Sequence, residues 1–284
     1  MLDGDPAVRW RVLRDLTGAG EPEVTRERAR VATEGWGARL LAEQSPDGTW
    51  GGGVYTPKWT STTYTLLRLL WLGLVPGHPA ALRGCARLWE WQDRRRVAET
   101  CVVSMFVRVS CAFGHRTGEV DEAIAFLLDQ QQDDGGWNCA ARGDRAKHSS
   151  FHTSIMALEA LEAAGGPDAV AAERGREFFL AHRLYRSHRT GEVAVRGSVR
   201  FPAFPEWHFD VLRGLEYFAR TGARDDRLAD AVDVVARARR KDGRWPTYSA
   251  YPGKQWFQAE PPGASRLNTA RALSVLAWWD SGRR

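Results

Sequence analysis

A short turn closed by glycine and tryptophan occurs three times in this chain, and no other feature constrains the fold as much. The copies are Gln44-Ser-Pro-Asp-Gly-Thr-Trp50, Gln132-Asp-Asp-Gly-Gly-Trp137 and Lys241-Asp-Gly-Arg-Trp245. Each stands between a helix that ends in polar residues and a loop leading into a new amphipathic or apolar helix. A repeated unit of this kind buries its apolar face only by stacking on its neighbours, so it predicts stacked helical hairpins rather than one irregular globule.

The rest of the chain follows the same plan. Asp5 and Pro6 supply an N-cap and an N1 proline for a helix over 5–17, which Gly18 and Gly20 end. Helices are then expected over 23–43 and 59–74, 78–92 and 97–113, 119–131 and 148–164, 168–186 and 207–220, and 226–240 and 265–279. In these pairs a more polar helix alternates with one that is apolar on most faces, the pattern of an outer helix and an inner helix. The expected fold is therefore all-α, an α/α toroid of about five helical pairs plus an N-terminal helix, in a single domain over 1–284. An open solenoid has the same periodicity and is the alternative.

The net charge of +5 comes from arginines dispersed among carboxylates, as on a solvated surface. Basic runs are not interleaved with aromatics, so nucleic acid is not an expected partner. Cys85, Cys101, Cys111 and Cys139 form no CxxC pair and no dense framework, which suits reduced thiols. The N-terminus lacks the pattern of a secretory signal. The most apolar run, Leu66–Leu74, is short and contains Arg68, so no transmembrane segment and a cytoplasmic location are expected. No nucleotide cofactor motif is present.

The loops leading into the inner helices, 45–58, 133–147, 187–206 and 241–264, are long and all fall where inner-helix N-termini emerge. Long ordered loops commonly carry function, so the site is expected at that end. The glycine–tryptophan turns resemble the glutamine–tryptophan repeats of squalene–hopene cyclases, and the helical-hairpin plan is similar to that of protein prenyltransferase β subunits. Trp137-Asn-Cys139, His148-Ser-Ser-Phe-His152 and Trp207-His-Phe-Asp210 also resemble strings in bacterial proteins built from prenyltransferase and squalene-cyclase repeats. The resemblance implies the toroid; if the chain is an enzyme, an isoprenoid-like or other hydrophobic substrate is expected. The Asp-x-Asp-Asp acid of the cyclases has no counterpart here, because Asp133-Asp134 lies inside a turn. The Asp-x-Cys pair of the prenyltransferase zinc site is also missing, although His152 resembles the histidine that opens an inner helix there.

Four groups of residues are candidates for chemistry. His148 and His152, four apart at a helix start, together with Cys139 offer two imidazoles and a thiolate, a zinc set with one open position. The alternative is a helix-end histidine, a hydrogen-bonded core histidine and a small buried hydrophobe. His208 and Asp210 start another inner helix and suit acid/base catalysis, or Asp210 simply complements the helix N-terminus. Arg183, Arg186 and Arg189 could grip a phosphate, or could meet the negative end of a helix. Tyr55, Lys58, Trp59 and Trp207 could line a substrate pocket, or plug loops against the ring. Two functions follow. One is a small-molecule enzyme of the cyclase or transferase type, zinc-dependent if the metal set forms, acting on a hydrophobic or phosphorylated ligand. The other is a non-catalytic module that binds a hydrophobic ligand or a protein.

Overall fold

The computed structural model describes residues 1–139, 148–249 and 251–282. The fold is all-α apart from one small two-stranded sheet. Helix α1 (Pro6–Leu16) begins where the Asp5 carboxylate accepts the Ala7 amide at 2.9 Å. Five pairs follow, with α2 (Glu21–Ala29) and α3 (Gly35–Ala42) together outside α4 (Thr62–Leu72). The others are α5 (Pro79–Arg95) with α6 (Thr100–Phe113), α7 (Gly118–Asp129) with α8 (Phe151–Ala163), α9 (Ala169–Ala181) with α10 (Val211–Thr221), and α11 (Ala229–Arg237) with α12 (Arg266–Ser281).

The inner helices α4, α6, α8 and α10 are buried on most faces, as their near-continuous apolar sequence requires. Helix α4 packs on α6, α6 on α8, and α10 on α12, while the outer helices pack on the inner ones beside them, α3 on α4, α5 on α4 and α6, α7 on α6, α9 on α8, and α11 on α10 and α12. Helix α1 brings the two ends of the array together. It packs along α12, and its Trp10 indole donates to the Leu72 carbonyl of α4 at 2.8 Å. One hydrophobic core runs from Ala7 to Trp279.

One outer helix departs from expectation. The stretch over 23–43 is broken into α2, a 3-10 turn at Arg30–Ala32, and α3. The break serves Asp5, whose second carboxylate oxygen accepts the Trp36 amide at 2.7 Å. Gly35, at φ +64°, lies so close to Asp5 that a Cβ would collide with its carboxylate. A single aspartate thus caps α1 and starts α3.

The glycine–tryptophan turns are equivalent in detail. Trp50, Trp137 and Trp245 are at most 1 % exposed. Each indole donates to a carbonyl ten residues earlier, on Leu40 (2.7 Å), Leu127 (2.7 Å) and Val235 (2.6 Å). Each backbone amide donates to a hydroxyl on the next inner helix, on Thr62, Ser154 and Thr269. Burial of each side chain contributes about 1.5–3 kcal/mol. In the first two copies a glutamine amide, Gln44 or Gln131, also bridges the turn to the first carbonyls of the following outer helix, at Ala80 and Ala171. In the third copy Trp245 begins strand β1 (Trp245–Thr247), which pairs antiparallel with β2 (Gly263–Ser265).

The indoles of the first two turns lie against a glycine of the next outer helix. A Cβ at Gly84 would come to 2.7 Å from Trp50, and one at Gly175 to 2.6 Å from Leu158 and 2.8 Å from Trp137. Gly84→Ala and Gly175→Ala are therefore expected to destabilise by about 1–3 kcal/mol through overpacking. Gly118→Ala, in open space at the start of α7, should be neutral or gain up to about 1 kcal/mol. Chemical denaturation of the three variants checks this, and equal stabilities would show that the indoles are not held as described.

Candidate functional site

At the loop-bearing end, three segments converge: the chain before α4, the chain before α10, and the chain between β1 and β2. Their aromatic side chains pack ring on ring. Trp59 lies 5.0 Å from Tyr64 and 5.5 Å from Tyr251 between ring centroids, and Tyr55 lies 5.8 Å from Tyr64. His208 is stacked between Trp207 and Tyr251, with 3.7 Å between centroids on each side. The Lys58 ammonium stands 5.6–5.9 Å from Tyr55, Trp59 and Trp207, within cation–π range. Trp59 has φ +89°, and its indole donates to the Pro252 carbonyl at 2.8 Å, which ties the first segment to the third.

His152, on the first turn of α8, joins this cluster from below. Its Nδ1 accepts the Phe209 amide at 2.8 Å, which fixes the proton of the neutral ring on Nε2. The ring lies 5.1 Å from Trp207 and 5.6 Å from His208. Burial lowers both His152 and His208 to about 4, so both imidazoles are neutral at neutral pH.

Two carboxyls lie beneath the rings, each 2 % exposed. Glu206, at φ +54°, takes the Arg68 guanidinium on Oε1 at 2.8 Å from Nε. Asp210 caps α10 by accepting the Arg213 amide at 2.9 Å. The remaining oxygen of each carboxyl, the Tyr64 hydroxyl, the Trp207 indole nitrogen and His208 Nδ1 are buried without a hydrogen-bond partner among the described residues. Burial pushes Glu206 up to about 7 against the pull of Arg68, and Asp210 up to about 6 against that of Arg271. Tyr251 is raised by its own burial and then by Asp210, which places that carboxyl in the field of the stacked rings.

A band of paired charges links α6, α8 and α10 behind these acids. Arg213 donates to Glu159 from Nε at 3.1 Å and to the Glu206 and His208 carbonyls at 3.0 and 2.6 Å. Arg108 meets the same Glu159 at 2.7 Å. Burial alone would raise Glu159, but Arg108, Arg213 and Arg220 outweigh it and hold the carboxyl down at about 2.

The structure thus brings together Tyr55, Lys58, Trp59, His152, Trp207, His208 and Asp210. The other candidates are placed elsewhere. Cys139 lies against Thr153, but its sulfur is bonded to Cys101, whose Cα is 5.7 Å away. For these two residues the bond replaces the reduced thiols expected from sequence. The reason is tertiary, since the turn after Trp137 runs past the start of α6, 38 residues earlier in the chain. His148 is exposed, and its carbonyl accepts from Asn138 at 2.7 Å. Arg186 is engaged by Asp230 and by the Gly191 carbonyl, while Arg183 and Arg189 are exposed. Asp134 accepts from Gly136 and Ser149 within its turn, as a turn former does.

Two of the expected zinc ligands have protein partners in this structure. Cys139 is spent on Cys101, and His152 Nδ1 on Phe209. Among the described residues no three His, Cys, Asp or Glu side chains are grouped to hold a metal ion. Also among the described residues, no helix is long and apolar enough to cross a membrane.

Arg68, Glu206, Arg213 and Glu159 were not site candidates from sequence. A lone charge inside an otherwise apolar inner helix, such as Arg68 or Glu159, is a usable signal for a buried pair. Glu206, in the loop string Phe-Pro-Glu-Trp, carries no such signal.

Compared with known protein families, with characterised proteins and with solved structures, the chain shows no match.

Two measurements test this site. Asp210 and Glu206 hold their protons more tightly when folded, so each favours the folded state below its ordinary range, 3.8 for Asp210 and 4.5 for Glu206. That contribution is lost as pH rises through about 6 and about 7 respectively. Asp210→Asn and Glu206→Gln, which have no such proton to lose, should gain about 1–2 kcal/mol relative to the parent between pH 4 and pH 7. Urea denaturation at several pH values reads this, and a pH-independent difference would contradict it. For the metal, oxidised protein purified without added zinc is expected to carry far less than one equivalent by elemental analysis. A full equivalent would show that Cys139 leaves Cys101 to complete a zinc set.

Proposed function

We propose that the chain is a small-molecule enzyme of the cyclase or transferase type, built on a closed α/α ring, with its acid/base centre at the loop-bearing end. The observation that carries this reading is two buried, proton-retaining carboxyls beneath a stack of aromatic rings. Asp210 and Glu206 supply protons, and Trp59, Trp207 and Tyr251 present π faces that stabilise a developing cation. The substrate class is a hydrophobic molecule with an isolated double bond, such as an isoprenoid. In such a reaction the proton of Asp210 forms a C–H bond as the alkene π bond breaks. The resulting cation closes onto a second double bond, and a neighbouring C–H returns a proton to His208 Nδ1. No step uses a metal.

The non-catalytic alternative keeps one observation in its favour. The cavity lined by Arg68, Glu206, Tyr251 and Gln255 is only about 40 Å³, so a substrate must displace part of the aromatic cap to reach the acids. A binding module needs only the outer faces of Trp207 and Tyr251.

Incubation with a panel of isoprenoid alcohols, diphosphates and hydrocarbons, read by gas chromatography and mass spectrometry, separates the two. The enzyme reading expects isomerised or cyclised product from the parent and a loss of about 10²–10⁴-fold in kcat for Asp210→Asn, with KM little changed. Binding of a panel member without product would favour the module. Product formation unaffected by Asp210→Asn would remove Asp210 as the acid.

A further inference from the structure

The opposite end of the ring, where the inner helices finish, carries a second feature. A cavity of about 350 Å³ opens there between the later turns of α4, α6, α8 and α10 and the side of α1, and it reaches inward to Ala203, Pro205 and Leu267. That volume lies within the range of small-molecule sites. An adjoining hollow of about 530 Å³ shares Arg11, Arg14, Glu216, Arg220 and Arg271 with it. Trp10, Leu70, Trp71 and Leu267 form the apolar part of the wall.

The charged part of the wall is unbalanced. Six arginines face the cavity, Arg11, Arg14, Arg28, Arg108, Arg220 and Arg271, against the three carboxylates Glu159, Glu162 and Glu216. Those carboxylates are already engaged. Arg271 holds Glu216 through two contacts of 3.0 and 2.7 Å. Arg220 holds Glu162 at 2.9 Å, and Arg108 holds Glu159 at 2.7 Å. Arg14 is paired with Asp15.

Arg11 and Arg28 meet no carboxylate among the described residues. Each spends one N–H on the end of α4, Arg11 on the Trp71 carbonyl and Arg28 on the Gly73 carbonyl at 2.8 Å. Capping a helix C-terminus accounts for those two bonds and leaves the other donors of each five-donor fork unaccounted for. Arg11 Nε is buried with no partner among the described residues. The guanidiniums of Arg11, Arg14 and Arg28 each lie over the single Trp10 ring, at 5.0, 4.6 and 5.3 Å from its centroid, and the Arg14 charge acts on both Arg11 and Arg28. Like charges held this close repel, and an anion between them removes the repulsion. Burial lowers Arg11 to about 10 against the pull of Glu216, with Arg14 and Arg271 adding smaller pushes in the same direction as burial.

We propose that this cavity is a binding site for a small organic anion with two or three negative charges, its charged group held by Arg11, Arg14 and Arg28 and its apolar part seated on Trp10 and Trp71. Phosphorylated and polycarboxylic ligands share this chemistry. Neither carboxyl of the acid pair lines this cavity, although Glu159, Pro205 and Arg271 of its wall adjoin them.

Inorganic diphosphate and citrate serve as the two probes, each titrated calorimetrically into the full chain and followed by thermal unfolding, with sodium chloride matching the ionic strength. At about 1 mM, at least one probe is expected to raise Tm by about 3 °C or more beyond the salt control. Tighter binding of diphosphate assigns a phosphorylated ligand, and tighter binding of citrate a polycarboxylic one. Arg28→Gln and Arg14→Gln, at partly or fully exposed positions, should weaken binding roughly tenfold or more. Arg189→Gln and Asp210→Asn should bind like the parent, so a failure of the loop-end reading leaves this result intact. The proposal is overturned if neither probe exceeds the salt control, or if Arg14→Gln and Arg28→Gln both bind as tightly as the parent.

Discussion

Much of this structure depends on one buried carboxylate, Glu159, and the three guanidiniums around it. Short apolar side chains do not fill all the space between the inner helices. Here long charged side chains cross it. Glu159 on α8 receives Arg108 from α6 and both Arg213 and Arg220 from α10. The α8 backbone packs closely on α6 but only sparsely on α10, so the ion pairs form much of the bridge between α8 and α10. Desolvating such groups is expensive, and removing one partner from a buried cluster costs about 3–5 kcal/mol because the rest are left uncompensated. The same cluster holds the loop before α10, since Arg213 also donates to the Glu206 and His208 carbonyls.

That cluster divides the interior into two environments. On the loop side, carboxyls outnumber their free partners and sit under aromatic rings, so burial raises their proton affinity. On the other side, guanidiniums outnumber carboxylates and face a cavity. One protein interior thus holds a proton-retaining centre and an anion-seeking centre, separated by a few paired side chains that neutralise each other.

The helical plan was legible because the glycine–tryptophan turns and the alternation of polar and apolar helices are local signals. Asp5 and Pro6 announced α1, and the outer–inner pairs followed. The break at Gly35 was hidden because its cause, Asp5, is distant in sequence. The loop-end aromatics were found for the same reason as the fold, since Trp59 and Trp207 stand just ahead of inner helices. The bond between Cys101 and Cys139 was not legible, because nothing in their spacing shows that α6 starts beside the second turn. The charged centre was written in single residues, Arg68, Arg108, Glu159, Arg213 and Arg271, one or two in each inner helix. Read one helix at a time, each looks like an exception to an apolar run, and only the ring makes them neighbours.

The tryptophan lock also has a consequence for how such a chain can change. On its N-terminal side the spacing is invariant, ten residues from indole to carbonyl in all three copies. On its C-terminal side the amide reaches a hydroxyl 12, 17 or 24 residues later. The lock therefore sets the geometry of the outer helix and of the inner-helix start while leaving the length between them unconstrained. Insertions there lengthen a loop at the rim without shifting any helix. The segments whose length the lock leaves open include those that carry Trp59 and Tyr251 over the acid pair, and the scaffold beneath them stays in register.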